Sequence, residues 1–246
     1  MSLSYNGGKD CLVLLVLYLS VLHAHFSRHG QDKVWPTRIP SIYAKPPDPF
    51  DKVTEFVEES ARQYCLDLTH ISTNPGPRPS KHQASHSSPP GPSSPSHTRQ
   101  GSDGTEKEIV TFRDAFAMYL EQNKDVKGIF VGTRRTDPHG GKLSHFDMTD
   151  GNWPRFMRVH PVIDWRLDEI WCFLRHPALG EKKGEGLEYC EMYDEGYTSL
   201  GGVGDTVRNP KLKIVKEGDG GVGEEVVGWR PAWMMVEDGA ERAGRE

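Results

Sequence analysis

Ser4-Tyr5-Asn6-Gly7-Gly8-Lys9-Asp10 runs without a break into Cys11-Leu12-Val13-Leu14-Leu15, and the reading of this stretch decides the reading of the chain. A Gly-Gly turn that opens an apolar helix turns backbone N–H groups outward at the positive end of the helix dipole. That geometry is an anion site suited to phosphate, and glycine lets a ligand approach the backbone with no Cβ in the way. Lys9 adds positive charge to the same phosphates, and Asp10 offers the hard oxygen that Mg²⁺ favours. Taken alone, the two glycines also fit a plain turn capped by Ser4 or Asn6. The stretch lacks the G-x-x-x-x-G-K-[ST] pattern of a Walker A loop.

Working outward, apolar residues recur at helical spacing in three places: Val53, Phe56, Val57, Ala61 and Tyr64; Phe112, Ala115, Phe116 and Tyr119; and Leu167, Ile170, Trp171 and Leu174. Short β-type runs lie among them at Ile39–Ala44, Cys65–Ile71 and Gly128–Val131, with a further candidate at Arg158–Val162 and a late one at Val226–Trp229. Helices alternating with short apolar strands predict an α/β fold with a parallel sheet. The chain divides into residues 1–200, which carry this alternation, and a C-terminal segment, residues 201–246.

Composition sets the bounds. The chain has 246 residues, a net charge of −5, 26 glycines and 18 prolines. An acidic balance supplies no general field for nucleic acid. The apolar run Leu12–Leu22 is too short to span a bilayer, and Asp10 cancels the charge of Lys9 that a signal peptide would need. Neither a nucleic acid nor a membrane partner is expected, oligomeric state is left open, and a cytoplasmic location is the default. Cys11, Cys65, Cys172 and Cys190 are too scattered for zinc or a disulfide framework. Much of the proline excess lies in Thr73–Thr105, which holds seven prolines and eight serines. Its low apolar content predicts a disordered surface insertion, in which His82, His86 and His97 are solvated. Gly218–Gly223 reads as a turn or loop.

The opening loop resembles the PP-loop, written S-x-N-G-G-K-D in the branch that contains the eukaryotic FAD synthases (FMN adenylyltransferases) and is similar to the phosphoadenylyl-sulfate reductases. Four later stretches extend the likeness: Val131–Pro138, Phe156–Trp165, Tyr189–Leu200, and the pair Trp229–Ala232 and Glu241–Arg245. The resemblance implies a Rossmann-like PP-loop fold and transfer of AMP from MgATP to FMN, giving FAD and pyrophosphate. It implies that Ser4, Tyr5, Asn6, Gly7, Gly8, Lys9 and Asp10 hold ATP phosphates, with Tyr43 at the adenine edge. Asn6, Asp10, Arg242 and Arg245 are the implied catalytic groups, with Mg²⁺ on Asp10. Arg134, Asp137, Asp164 and Trp165 are the implied FMN contacts. Each has a plainer reading beside it. Arg134–Pro138 fits a charged turn, Asp164 fits the N-cap of the helix that follows, Trp165 fits core packing, and the two arginines fit a solvated chain end.

Two features depart from the resemblance. Only Met1, Ser2 and Leu3 precede the loop, fewer residues than a usual strand, so the fold is expected to lack its first, central strand. The Pro/Ser insertion is the other departure. A missing strand makes a catalytically inactive or truncated nucleotide- or flavin-binding protein the main alternative. A phosphoadenylyl-sulfate reductase is a second, weakened because no cysteine follows Gly201.

Overall fold

The structure is a computed structural model, and it describes residues 1–28, 36–74, 109–180, 185–217 and 224–245. Most of the Thr73–Thr105 stretch with its three histidines, and the whole of Gly218–Gly223, lie outside the described residues. Thr73 and Asn74 do not: Thr73 is 3% exposed, and Asn74 exchanges backbone hydrogen bonds with Val110 at 2.7 and 2.9 Å. The described residues on either side of 75–108 are thus fastened to each other.

Six strands form one sheet. In chain order they are β1 (Ser2–Ser4), β2 (Ile39–Lys45), β3 (Leu66–Ser72), β4 (Gly128–Phe130), β5 (Phe146–Met148) and β6 (Met157–Val159). The spatial order is β3-β2-β1-β4-β6-β5, and every pairing is parallel except β5 with β6. The expectation of a lost first strand is corrected here. Three residues make the central strand: Leu3 pairs with Ser41 on one side and Phe130 on the other. They suffice because β4 and β6 on that side are equally short, and because the Tyr5 amide extends the ladder to the Ile42 carbonyl at 2.9 Å.

Four helices pack on the sheet: α1 (Lys9–Arg28), α2 (Asp51–Gln63), α3 (Phe112–Gln122) and α4 (Leu167–Leu174). Strand alternation divides the core between two faces. Leu3 and Tyr43 join α1, α2 and α4 in one buried cluster. Ile42, Ala44 and Ile129 join α3 in the other. Ser2 points to the α3 face, where its hydroxyl lies 2.7 Å from the Tyr119 hydroxyl. A capping box at Thr111 and Asp114 starts α3.

Helix α1 outruns the apolar stretch that signals it, and it is long and apolar enough to cross a membrane by length and composition alone. Cys11 to Leu15 are packed in the core, as in the central helix of an α/β domain. The C-terminal segment is continuous with the same core, to which it gives Leu212, Ala232 and Met235. It adds a separate two-stranded ribbon, β7 (Lys213–Glu217) with β8 (Glu224–Trp229). Residues 238–244 form a 3₁₀ turn rather than a frayed end.

Candidate active site

Strand order reverses at β1, with β2 on one side and β4 on the other, and a cleft opens beyond their C-terminal ends, where ligands collect in open parallel sheets. It has two lobes. One, about 660 Å³, is bordered by Tyr43, Ala44, Pro46, Phe112 and Asp205. The other, about 890 Å³, is bordered by Gly8, Asp10, Thr133, Asp137, Ser199 and Arg242. Ser4, Asn6, Leu200 and Arg245 border both lobes.

The loop between β1 and α1 has the shape its glycines permit. Gly7 sits at φ +72°, and a Cβ there would lie 2.8 Å from Val57 Cγ2. The Gly8 amide donates to Asn6 Oδ1 at 3.0 Å, and the Lys9 amide donates to the Tyr193 hydroxyl at 3.0 Å. Two of the N–H groups expected to face phosphate therefore have protein partners. Tyr5, expected at ATP, borders the smaller lobe, with a buried side chain whose hydroxyl donates to Ser60 at 2.8 Å.

The floor of the cleft is a cluster of five charged groups, of which Lys9, Asp10 and Glu241 border the larger lobe. Lys9 Nζ binds Asp10 Oδ2 at 2.8 Å and also Glu241. Arg134 Nε lies 2.8 Å from Asp10 Oδ1, one terminal nitrogen lies 3.0 Å from Asp238, and the other binds Glu241. Lys9 is 2% exposed and Arg134 is fully buried. Burial alone would lower the pKa of both cations, but Asp10 and Glu241 outweigh it and hold both above their ordinary values. Burial opposes ionisation of Asp10 as well, yet Lys9 and Arg134 hold its carboxyl below the usual range.

These positions revise several expectations. Lys9 pairs with two carboxylates while bordering the larger lobe. Arg134, expected on FMN, is fully buried and forms ion pairs with three carboxylates. Asp164 is not a helix cap: Arg166 occupies that position, and Asp164 instead accepts from Arg135 Nε at 2.5 Å on the surface. Trp165 packs edge-on against Phe173 with ring centres 5.7 Å apart. Neither Asp164 nor Trp165 borders the two lobes.

The other expected residues converge. Asn6, Asp10, Asp137, Arg242 and Arg245 border the larger lobe, and Tyr43 borders the smaller. Arg242 lies 3.8 Å from Asp137, and Arg245 pairs with Asp205 at 3.5 Å. A Cβ at Gly201 would fall 2.3 Å from an Arg245 terminal nitrogen, so the guanidinium lies flat against that glycine.

The fit of a resident Mg²⁺ is poor. Each Asp10 oxygen has a cationic nitrogen at 2.8 Å. Among the described residues no group of three His, Cys, Asp or Glu side chains is placed to hold a metal. The expected direct ligand role of Asp10 does not match a carboxylate already neutralised by two cations.

Sequence reasoning missed Glu241, Asp238, Tyr193 and Asp205. Glu241 and Tyr193 stand inside the stretches that carry the resemblance, so a motif acidic residue beside two arginines was the available signal. For Asp238 and Asp205 the sequence held none.

The chain matches the phosphoadenosine phosphosulfate reductase domain over residues 1–208. It is 33% identical to a Schizosaccharomyces pombe protein named "Probable FAD synthase", across all of this chain and 71% of that one. It belongs to this reductase-domain family, in the FAD synthase branch. Among solved structures, Candida glabrata FMN adenylyltransferase in complex with FMN and the ATP analogue AMPCPP superposes with a TM-score of 0.71 at 28% identity, over 99% of this chain and 80% of that one. The same enzyme in complex with FAD and inorganic pyrophosphate gives 0.70 at 28% identity, over 99% and 80%. The shared frame of the branch places the loop at the end of β1, and the two lobes of this FAD synthase-branch chain open on either side of it.

Proposed function

We propose that this protein is an FAD synthase, which transfers AMP from MgATP to FMN and releases pyrophosphate. The observation that carries this reading is the cleft itself. Two lobes meet over Ser4, Asn6 and Arg245. Two nucleotides seated in such lobes would bring their phosphates together on the same residues.

The FMN phosphate is already an anion at neutral pH, so attack of its oxygen on the α-phosphorus needs no strong base. The obstacle is the crowding of negative charge as pyrophosphate leaves. Positioned cations and aligned reactants therefore supply most of the catalysis. Arg242 and Arg245 are those cations, exchanging Asp137 and Asp205 for phosphate oxygens. Tyr43 and Phe112 border the lobe suited to the adenine. Mg²⁺ enters as part of the MgATP substrate, held by phosphate oxygens, and supplies charge neutralisation there. The acidic Asp137 borders the larger lobe, which we assign to FMN. We retain the cytoplasm as the site of action, since four free thiols fit a reducing compartment.

The inactive alternative rested on a missing strand, and Ser2–Ser4 supplies that strand. The reductase alternative needs a thiolate in the C-terminal segment, and no cysteine follows Gly201. Incubation of purified protein with FMN and MgATP should give FAD and pyrophosphate, separated by chromatography. Folded protein that makes no FAD would overturn the proposal.

A further inference from the structure

Of the two arginines that face the cleft, Arg242 stands on a short 3₁₀ turn, residues 238–244, that is weak on its own, and Arg245 is its C-cap. What fixes this turn is Glu241, at the edge of the larger lobe. Glu241 is 4% exposed and spans two buried cations, one carboxylate oxygen on Lys9 and the other on Arg134. Lys9 begins α1, and Arg134 follows β4, so a single carboxylate ties the turn to both walls of the larger lobe. The Glu241 carbonyl accepts from the Thr198 hydroxyl at 2.5 Å. Asp238 adds a second tie, accepting from Arg134 at 3.0 Å and from the Leu167 amide at 2.7 Å.

We infer that Glu241 is a positioning residue for nucleotidyl transfer: held by Lys9 and Arg134, it acts by setting the reach and direction of Arg242 and Arg245. The inference rests on the proposed FAD synthase activity. A carboxylate held by two buried, hydrogen-bonded cations has one geometry, and the neighbouring residue inherits it. Arg242 stands next to Glu241 on the turn and borders the same lobe, and Arg245 closes the turn, with its amide donating to the Arg242 carbonyl at 2.9 Å. Loosening Glu241 therefore shifts both guanidinium groups relative to the phosphates. Misplacement by about 1 Å is enough to cost on the order of 10²-fold in rate.

The test is a kinetic cycle. Glu241→Gln keeps the shape and one acceptor oxygen while removing the charge. In the otherwise intact enzyme it should lower kcat on the order of 10²-fold, with the KM for FMN nearly unchanged and the circular dichroism spectrum intact. In an Arg242→Ala/Arg245→Ala background the same change should cost less than about twofold, because residues that act through one another are not additive. Glu241→Asp should recover part of the loss. Wild-type kcat in folded Glu241→Gln protein would overturn the inference, and so would a full, additive loss in the background without the arginines. If Glu241→Gln fails to fold, Asp238→Asn in the same cycle decides the matter, with the same two outcomes. Absence of FAD from the wild-type protein would defeat the proposed function instead, so the two failures are distinguishable.

Discussion

At the scale of single residues, the floor of the cleft balances opposed charges in a small volume. Asp10 neutralises Lys9 and Arg134 together, and its removal leaves two buried cations short of a partner. Asp10→Ala should lower unfolding free energy by about 3–5 kcal/mol, read by denaturant titration, as well as abolishing FAD formation. Asn6→Ala loses only the acceptor for the Gly8 amide. It should keep the stability and lose turnover, and wild-type rates would remove Asn6 from the mechanism. Gly201→Ala places a methyl where the Arg245 guanidinium lies. Because the displaced atoms are the end of a flexible side chain, the fold should survive while kcat drops at least about tenfold. Residue identity in the loop was legible because glycine at φ > 0 and a cap-like Asn carry local meaning. The partners of Lys9 and Arg134 were not legible, since sequence spacing says nothing about a carboxylate 232 residues away.

Elements were more legible than contacts. The periodic apolar positions of α2, α3 and α4 mark helices because each has one buried face, and β2 and β3 stand out as β-branched and aromatic runs. Three elements escaped. β1 is buried but only three residues long, too short to show a pattern, while β5 is an exposed antiparallel edge and β7 a solvated ribbon strand that bury too little side chain to leave one. The β5–β6 hairpin has a titratable group of its own. His160 is 1% exposed, with Nδ1 3.0 Å from the Ser144 carbonyl. Burial pulls its pKa below the ordinary 6.5, against the hydrogen bond to Ser144 and the nearby Asp147, and with Arg158 and His145 acting in the same direction as burial. A depressed folded pKa means the unfolded chain takes up the proton first. The stability contribution is therefore present above the ordinary value of 6.5 and is lost as pH falls through it toward the folded value. The melting temperature of the wild-type protein should drop over that acidic interval more steeply than that of His160→Gln; parallel curves would count against this account.

For the whole molecule, a sheet built around β1 makes both lobes of the cleft depend on one central strand, while the Pro/Ser stretch departs from a position that the sheet tolerates. Asn74 and Val110 pair as neighbouring strand residues do, so their backbones are already close enough for a tight turn. Replacing residues 76–108 by a short Gly/Ser turn should leave FAD formation unchanged and move the melting temperature by no more than about 4 °C. Loss of activity in a folded deletion would give that stretch a part in the reaction. The fold class was readable because alternation of helix and strand is a global pattern. The cleft was readable only in part, because its floor is assembled from both ends of the described chain.

That assembly has a consequence for the order of events in folding. Pairing of β2 with β3 joins nearby segments, whereas the tie between Lys9 and Glu241 closes a loop of 232 residues. Contacts between distant segments form late, because their loop-closure entropy must be met before they stabilise anything. During refolding from denaturant, far-ultraviolet dichroism should recover first and the capacity to make FAD afterwards. The lag between them measures the time the chain takes to bring its last turn back to its first helix.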